Sequence, residues 1–245
     1  MINRRRNRFP IGLVNLIRVF NKHKLIFLPW PTKSNSTAIS LLIKVLRMLR
    51  RSPRESDGQR LRDALTELGP VYIKLGQLLS TRSDIFGANV ASELASLQDH
   101  VPPAKDFDVT SFINSQQFDD QLALSEISDF PIASASIAQI YTGKLVDGSD
   151  VILKIVRPGI EDAIRENMAL LNSLAGITHN LVPSIRRFHL PKLMQDQEAV
   201  MLKETDMHSE SRNQIQLRRN FAGSDLLYVP RVHTDYARSN LLVME

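Results

Sequence analysis

A strand hairpin in the second half of the chain limits the folds open to it more than any other feature. Two β-rich runs, residues 137–145 and 149–156, flank the pair Asp147-Gly148. Asp-Gly between two such runs is a strong signal for a tight turn between antiparallel strands. Further strand runs are predicted at residues 226–232 and 240–245, and the rest of the chain has helical spacing. This order predicts an α+β fold with a small antiparallel sheet.

The helices are predicted from apolar spacing and from the positions of glycine and proline. Gly69 can end one helix and Pro70 can begin the next, since proline is favoured at a first helical position. No run of 18 apolar residues exists, and there is no cysteine, so a disulfide framework and a thiolate zinc site are excluded. We predict helices within residues 1–30 and over residues 37–51, 58–80 with a break at 68–70, 88–98, 106–118, 161–180 and 193–220.

Basic residues are concentrated at the amino-terminal end. Residues 1–54 contain 13 Lys or Arg and no Asp or Glu, whereas the rest of the chain is acidic. The helix predicted at residues 37–51 is amphipathic and basic, which is typical of a helix on an anionic membrane surface. A helix packed on the body with a solvated basic face is the alternative. Nucleic acid is not predicted as a partner, because the aromatic residues lie beside apolar ones and no recognition motif is present.

Small residues and one lysine surround the hairpin. Ala133 to Ser136 are small enough to let backbone N–H groups approach phosphate oxygens. Lys154 lies among apolar residues, and a lysine in such a strand needs an anionic partner, either a carboxylate or a phosphate. An ordinary turn of small residues and an edge-strand lysine facing water are the alternatives.

Two further groups complete the candidate residues. Glu204, Asp206 and Glu210 lie within one predicted helix, where residues four apart share a face. Gly76 lies inside a helical pattern, which costs roughly 1 kcal/mol relative to alanine and indicates a close neighbour. Each group alone is also compatible with an ordinary helix surface.

Together these elements resemble the UbiB/AarF family of atypical protein-kinase-like proteins. The family's Lys-x-Gly-Gln signature matches Lys74 to Gln77, and its alanine-rich loop matches residues 133–139. Its strand lysine falls on Lys154, and its Glu-x-Asp signature falls on Glu204 and Asp206. Four ordered motifs at fitting separations make the resemblance specific.

The resemblance implies a protein-kinase-like N-lobe with a helical N-terminal extension. It implies a basic amphipathic leader at 1–54, a helical extension at 55–125 and the N-lobe at 126–245, ending near the hinge. Lys154 is expected to hold the α- and β-phosphates of ATP and to pair with Glu210. The residues expected to bind ATP are Ile132, Ala133, Ser134, Ala135, Ser136, Ile137, Ala138, Gln139, Ile140, Lys154 and Glu210.

A regulatory role is implied for Lys74, Gly76, Gln77, Glu204 and Asp206. The helix that carries Lys74 is expected to cover the mouth of the site, with Lys74 contacting Glu204 or Asp206. Such a cover argues against ordinary protein phosphorylation and favours ATP hydrolysis tied to small lipid-like substrates. The family implies a role in ubiquinone biosynthesis, with ubiquinone precursors or other proteins of that pathway as partners, at the cytoplasmic face of a bacterial inner membrane. A leader that is rich in Arg and has no Asp or Glu is also compatible with an organelle transit segment.

Some residues depart from the family pattern. Tyr141 stands where bacterial relatives usually have histidine, and Thr205 and Arg212 are atypical. No catalytic-loop aspartate with its asparagine and no Asp-Phe-Gly segment follows residues 241–245. We therefore predict no catalytic residue and no metal ligand in this chain, with Mg²⁺ expected only with a C-lobe that the chain lacks. A non-catalytic module that binds a nucleotide or a lipid is the alternative function.

Overall fold

The structure is a computed structural model that describes residues 8–25, 56–97, 103–104, 107–116, 118 and 124–245. The basic helix predicted at residues 37–51 lies outside this part of the chain. The described residues fall into two compact units. The first comprises those within Met1–Gln98 and Asp162–Ala199, and the second those within Asp99–Glu161 and Val200–Glu245.

Helices account for most of the described secondary structure. The helices are α1 (Arg8–Lys22), α2 (Asp57–Leu68), α3 (Pro70–Ser80), α4 (Ser83–Phe86), α5 (Ala88–Ala95), α6 (Val109–Asn114), α7 (Ile160–Leu181), α8 (Leu190–Glu204) and α9 (Met207–Asn220). Short 3-10 helices cover Pro183–Phe188 and Thr234–Tyr236. The strands are β1 (Leu124–Ile127), β2 (Ala133–Ser134), β3 (Ala138–Leu145), β4 (Asp150–Val156) and β5 (Leu241–Met244). Among the described residues, no helix has the length and apolar character needed to cross a membrane.

The α+β prediction is confirmed, and most predicted elements are present. The hairpin is β3–β4, and Gly148 in its turn has a φ of 85°. The predicted break between two helices lies at Gly69, whose φ of 100° favours glycine, and Pro70 begins α3. Asp108 caps α6 by accepting a hydrogen bond from the backbone N–H of Ser111.

The prediction of one helix over residues 193–220 is wrong, because the chain forms α8 and α9 with a turn between them. The Thr205 hydroxyl donates to the Leu202 carbonyl at 2.8 Å, which closes the last turn of α8. Asp206 has extended backbone angles and caps α9. Short polar side chains compete with the helix for backbone partners, and here they end one helix and begin the next.

The strand predicted at residues 226–232 is also wrong. Only an isolated bridge joins Val232 to Met244 there. Leu226 is 93% exposed, so its apolar side chain does not pack on a face of the sheet. The Gln214 side chain donates to the Pro230 carbonyl at 3.0 Å, so side chains of α9 help hold this segment beside β5.

The sheet has the order β1-β3-β4-β5, with β2 also paired to β3, and all pairs are antiparallel. Alternate residues of β3 and β4 face opposite sides. One side of the sheet forms the core of the second unit, together with residues of α6 and of the 3-10 helix Thr234–Tyr236. This core contains Val109, Ile113, Tyr141, Leu145, Val151, Leu153, Ile155, Tyr236, Leu241 and Val243. The other side carries Lys154.

Candidate functional site

Lys154 lies on an interior strand of the sheet. Its strand, β4, is paired with β3 on one side and with β5 on the other. The residues opposite Lys154 are Ile140 and Leu242, and directly opposed residues share a sheet face. The side chain is 26% exposed. The alternative of an edge-strand lysine is therefore excluded.

Glu210 is the anionic partner of Lys154. The Lys154 Nζ atom lies 2.5 Å from the Glu210 Oε1 atom, and Glu210 is 34% exposed. The pair is partly withdrawn from water, so removal of one partner would leave a partly desolvated charge without its counter-ion. The structure thus brings together two residues that lie 56 positions apart in the sequence.

Asp206 fixes the start of the helix that carries Glu210. Its carboxylate accepts hydrogen bonds from the backbone N–H of His208 at 3.1 Å and from the Ser209 hydroxyl at 2.5 Å. The Ser209 hydroxyl, together with the backbone N–H groups of the helix end, lowers the pKa of Asp206. The backbone N–H of Met207 donates to the Ser239 carbonyl at 3.0 Å, which ties this end of α9 to the approach to β5. Glu210 is therefore presented from an anchored first turn.

The predicted small-residue loop is a tight hairpin between β2 and β3. Ala133 pairs with Ile140, and the backbone N–H of Ala135 donates to the Ala138 carbonyl at 2.9 Å. The two residues at the tip, Ser136 and Ile137, are buried. The loop is therefore closed onto the protein at its tip, while Ile132 at its entry is exposed.

Gln139 belongs to the predicted loop, but its side chain faces the core side of the sheet. The Gln139 amide nitrogen donates to the Tyr141 hydroxyl at 2.8 Å, and its amide oxygen accepts from the backbone N–H of Ala104. Burial raises the pKa of Tyr141. The hydroxyl of Tyr141, one of the residues that departs from the family pattern, thus provides an acceptor for a buried amide. These contacts give the Gln139 side chain a structural role in the second unit.

Arg157 is a residue of this region that the sequence patterns did not indicate. It follows β4 directly and is 8% exposed. Its guanidinium donates to the Ala135 carbonyl and to the Ser134 hydroxyl. The only sequence signal was an arginine three residues beyond Lys154, and that position does not distinguish a buried arginine from a solvated one.

Similarity to known proteins agrees with this geometry. A family model described as "ABC1 atypical kinase-like domain" matches residues 96–245, which is more than half of the chain. The chain belongs to the ABC1 atypical kinase-like family. This finding confirms the family resemblance and the kinase-like class of fold predicted from the four motifs.

Curated relatives share 38–44% identity with the chain. A probable protein kinase UbiB of Cellvibrio japonicus is 38% identical over 242 residues, which cover 96% of this chain and 42% of that protein. The Pseudomonas putida protein of the same name is 40% identical over 222 residues, covering 89% and 40%. That of Photobacterium profundum is 44% identical over 201 residues, covering 79% and 36%. The chain spans about 40% of the length of these relatives.

A solved structure is also similar. It is a Mycobacterium tuberculosis protein in complex with erythromycin, with 21% identity and a TM-score of 0.47, and the match covers 85% of this chain and 49% of that one.

Gly76 and Gln77 lie where α3 packs closely on other parts of the first unit. A Cβ atom on Gly76 would lie 2.4 Å from Leu97 Cδ1 and 2.8 Å from Leu65 Cδ1. The Gln77 amide nitrogen donates to the Leu97 carbonyl at 3.0 Å. The close neighbour predicted for Gly76 is therefore present, and these two signature residues dock α3 against the segment that follows α5.

The remaining signature residues, Lys74, Glu204 and Asp206, are divided between the two units. Lys74 lies on α3 of the first unit, whereas Glu204 ends α8 and Asp206 precedes α9 in the second unit. The predicted contact of Lys74 with Glu204 or Asp206 stays a prediction. Within the described residues, no group of three or more His, Asp or Glu side chains is arranged to hold a metal ion.

Proposed function

We propose that the chain carries the ATP-binding lobe of a UbiB-like atypical kinase or ATPase. The observation that carries the proposal is the ion pair between Lys154, on an interior strand that adjoins a hairpin of small residues, and Glu210 on α9. A lysine held by a helix glutamate on the nucleotide lobe is part of the phosphoryl-transfer arrangement of protein kinases. The names of the curated relatives, probable protein kinases, support the same class of chemistry.

The donor chemistry of Lys154 fits a phosphate. An ammonium group has three N–H donors, and Glu210 Oε1 accepts from it at 2.5 Å. N–H donors then remain for the α- and β-phosphate oxygens, while Glu210 holds the side chain in position. Bound ATP would supply the transferable phosphoryl group. The hairpin at residues 133–138 would lie over the phosphates, because alanine and serine side chains do not block backbone N–H groups from approaching.

The proposal is tested by nucleotide binding to the Lys154→Met variant. Methionine keeps the length of the side chain but removes all three donors, so we expect ATP affinity to fall about 100-fold, since each charge-assisted hydrogen bond contributes about 1.5–3 kcal/mol. Lys144→Met is a matched control, because Lys144 is also a sheet lysine paired with a glutamate, Glu126, at 3.3 Å. Its ATP affinity should stay within about twofold of the parent chain.

Equal ATP affinity of the Lys154→Met variant and the parent chain would overturn the proposal. Because no catalytic residue is predicted within these 245 residues, ATP turnover is measured on the product of the complete gene. ATP binding without hydrolysis by that product would favour the alternative function of a nucleotide-binding module.

We further propose that the protein acts at the cytoplasmic face of a bacterial inner membrane in ubiquinone biosynthesis. The basic residues 1–54 support attraction to anionic lipids, and the relatives' name UbiB supports the pathway. Replacement of Lys154 by Met in the complete gene should then lower cellular ubiquinone. Unchanged ubiquinone together with lost ATP binding would remove the pathway assignment and keep the ATP site.

Binding to lipid vesicles tests the membrane proposal separately. Replacing Arg47, Arg50 and Arg51 by glutamine should weaken co-sedimentation with phosphatidylserine vesicles about 100-fold, since each basic residue near such a surface contributes about 1 kcal/mol. Arg219→Gln is the control, because Arg219 is an exposed arginine outside the basic segment. Equal co-sedimentation of the triple variant, or a salt-sensitive gel shift with nucleic acid instead, would contradict the membrane proposal.

A further inference from the structure

Arg157 contacts the first arm and the tip of the hairpin formed by β2 and β3. Its Nε atom donates to the Ala135 carbonyl at 2.8 Å, and its Nη2 atom donates to the Ser134 hydroxyl at 2.6 Å. Its backbone N–H donates to the Ile137 carbonyl at 2.8 Å. Ser134 and Ala135 belong to the first arm of the hairpin, and Ile137 lies at its tip. One residue therefore ties the first arm and the tip to a fixed point at the end of β4.

The first arm of the hairpin is held by few strand contacts. Its strand, β2, is only two residues long and, among the described strands, pairs with β3 alone. A guanidinium holds several donors in one rigid, planar arrangement, so it can hold a carbonyl and a hydroxyl in one geometry. Because Arg157 is almost fully buried, water competes weakly for these hydrogen bonds.

We propose that Arg157 is a positioning residue that holds the small-residue hairpin in its closed form and thereby sets nucleotide affinity. The inference rests on the proposed function, in which this hairpin covers the phosphates of ATP. Lys154 lies on β4 and Arg157 directly follows that strand, three residues later. The residue that holds the hairpin and the ammonium group proposed to bind phosphate are therefore positioned by the same strand. A hairpin freed from Arg157 would have to be ordered again each time a nucleotide binds, which reduces affinity.

The first measurement is amide hydrogen exchange of residues 133–138 in the nucleotide-free 245-residue chain. In Arg157→Ala, exchange of these amides should become about tenfold faster or more, since one charge-assisted hydrogen bond corresponds to about a factor of ten. Arg157→Lys keeps the charge and one donor to the Ala135 carbonyl, so its exchange should lie between the parent and alanine values. Arg219→Ala is the control, because Arg219 is exposed in the same unit, and it should leave these amides unchanged.

The second measurement is the affinity for trinitrophenyl-ATP. Arg157→Ala should bind trinitrophenyl-ATP about tenfold more weakly, because the loss of one charge-assisted hydrogen bond that orders the hairpin corresponds to about a factor of ten. Arg157→Lys should recover part of this affinity. Ser134→Ala removes one acceptor of Arg157 at little risk to folding and should shift exchange and affinity in the same direction by a smaller factor. It also keeps the inference testable if Arg157→Ala does not fold.

The outcomes separate this inference from the proposed function. Unchanged exchange of residues 133–138 in Arg157→Ala or, if that variant does not fold, in Ser134→Ala overturns the positioning role. Faster exchange with unchanged affinity, in a chain whose Lys154→Met variant loses binding, overturns the effect on nucleotide affinity. A parent chain that binds no nucleotide overturns the proposed function and, with it, the link to affinity; hydrogen exchange then decides whether Arg157 holds the hairpin.

Discussion

Replacing Gly76 by alanine should have the opposite effect on stability to the same substitution at an open helix position. In an unobstructed helix interior, Gly→Ala stabilises by about 1 kcal/mol. At Gly76 the new Cβ would lie 2.4 Å from Leu97 Cδ1 and 2.8 Å from Leu65 Cδ1, and both leucines are buried. Overpacking of this kind costs about 1–3 kcal/mol. We therefore expect Gly76→Ala to lower the free energy of unfolding by about 0–2 kcal/mol after the helix gain is included.

Gly176→Ala is the matched control for this prediction. Gly176 lies within α7 of the same unit, and nothing lies within 4 Å of the position its Cβ would take. Since the helix gain is common to both variants, the difference between them isolates the overlap with the two leucines. For a chain of this size, about 1–3 kcal/mol corresponds to a difference of about 2–12 °C in Tm, measured by thermal unfolding followed by circular dichroism. Equal stabilisation of both variants would refute the account of Gly76 as a packing residue.

Three further predictions concern the second unit. Asp206→Ala should lower the free energy of unfolding by about 1 kcal/mol in urea titrations because α9 loses its cap, whereas Asp206→Asn, an equally good cap, should cost much less; equal losses would contradict the capping role. The pKa of Asp206 is lower in the folded state than in the unfolded state. Its charge therefore stabilises the fold above the ordinary aspartate pKa of about 3.9, and this stabilisation is lost as the pH falls through the folded-state pKa. Asp206→Asn should remove this part of the acid dependence of unfolding. Tyr141→Phe should lower the free energy of unfolding by about 1–3 kcal/mol, because the buried Gln139 amide loses its acceptor; a neutral effect would mean that the amide finds another partner.

Local features of the fold were predictable from the sequence because their causes are local. Asp147-Gly148 defines a turn through the backbone freedom of glycine, and Gly69-Pro70 separates two helices through the angles that each residue prefers. The turn between α8 and α9 was not predicted, although the contacts that form it are also local. Thr205 and Asp206 also suit a helix surface, and their capping contacts appear only once the backbone has turned.

From the amino-acid sequence alone, one can recognise the residues with the chemistry that the site needs: a lysine in an apolar strand, small residues before the hairpin, and acidic residues in a later segment. The tertiary structure decided which of these residues meet. Glu210 reaches Lys154 across 56 positions because α9 begins at a cap tied to β5, which pairs with β4. The tertiary structure likewise turned the Gln139 side chain to the core side of the sheet and buried Arg157 against the hairpin. Contacts between residues distant in sequence depend on strand pairing and burial, and no local pattern encodes them.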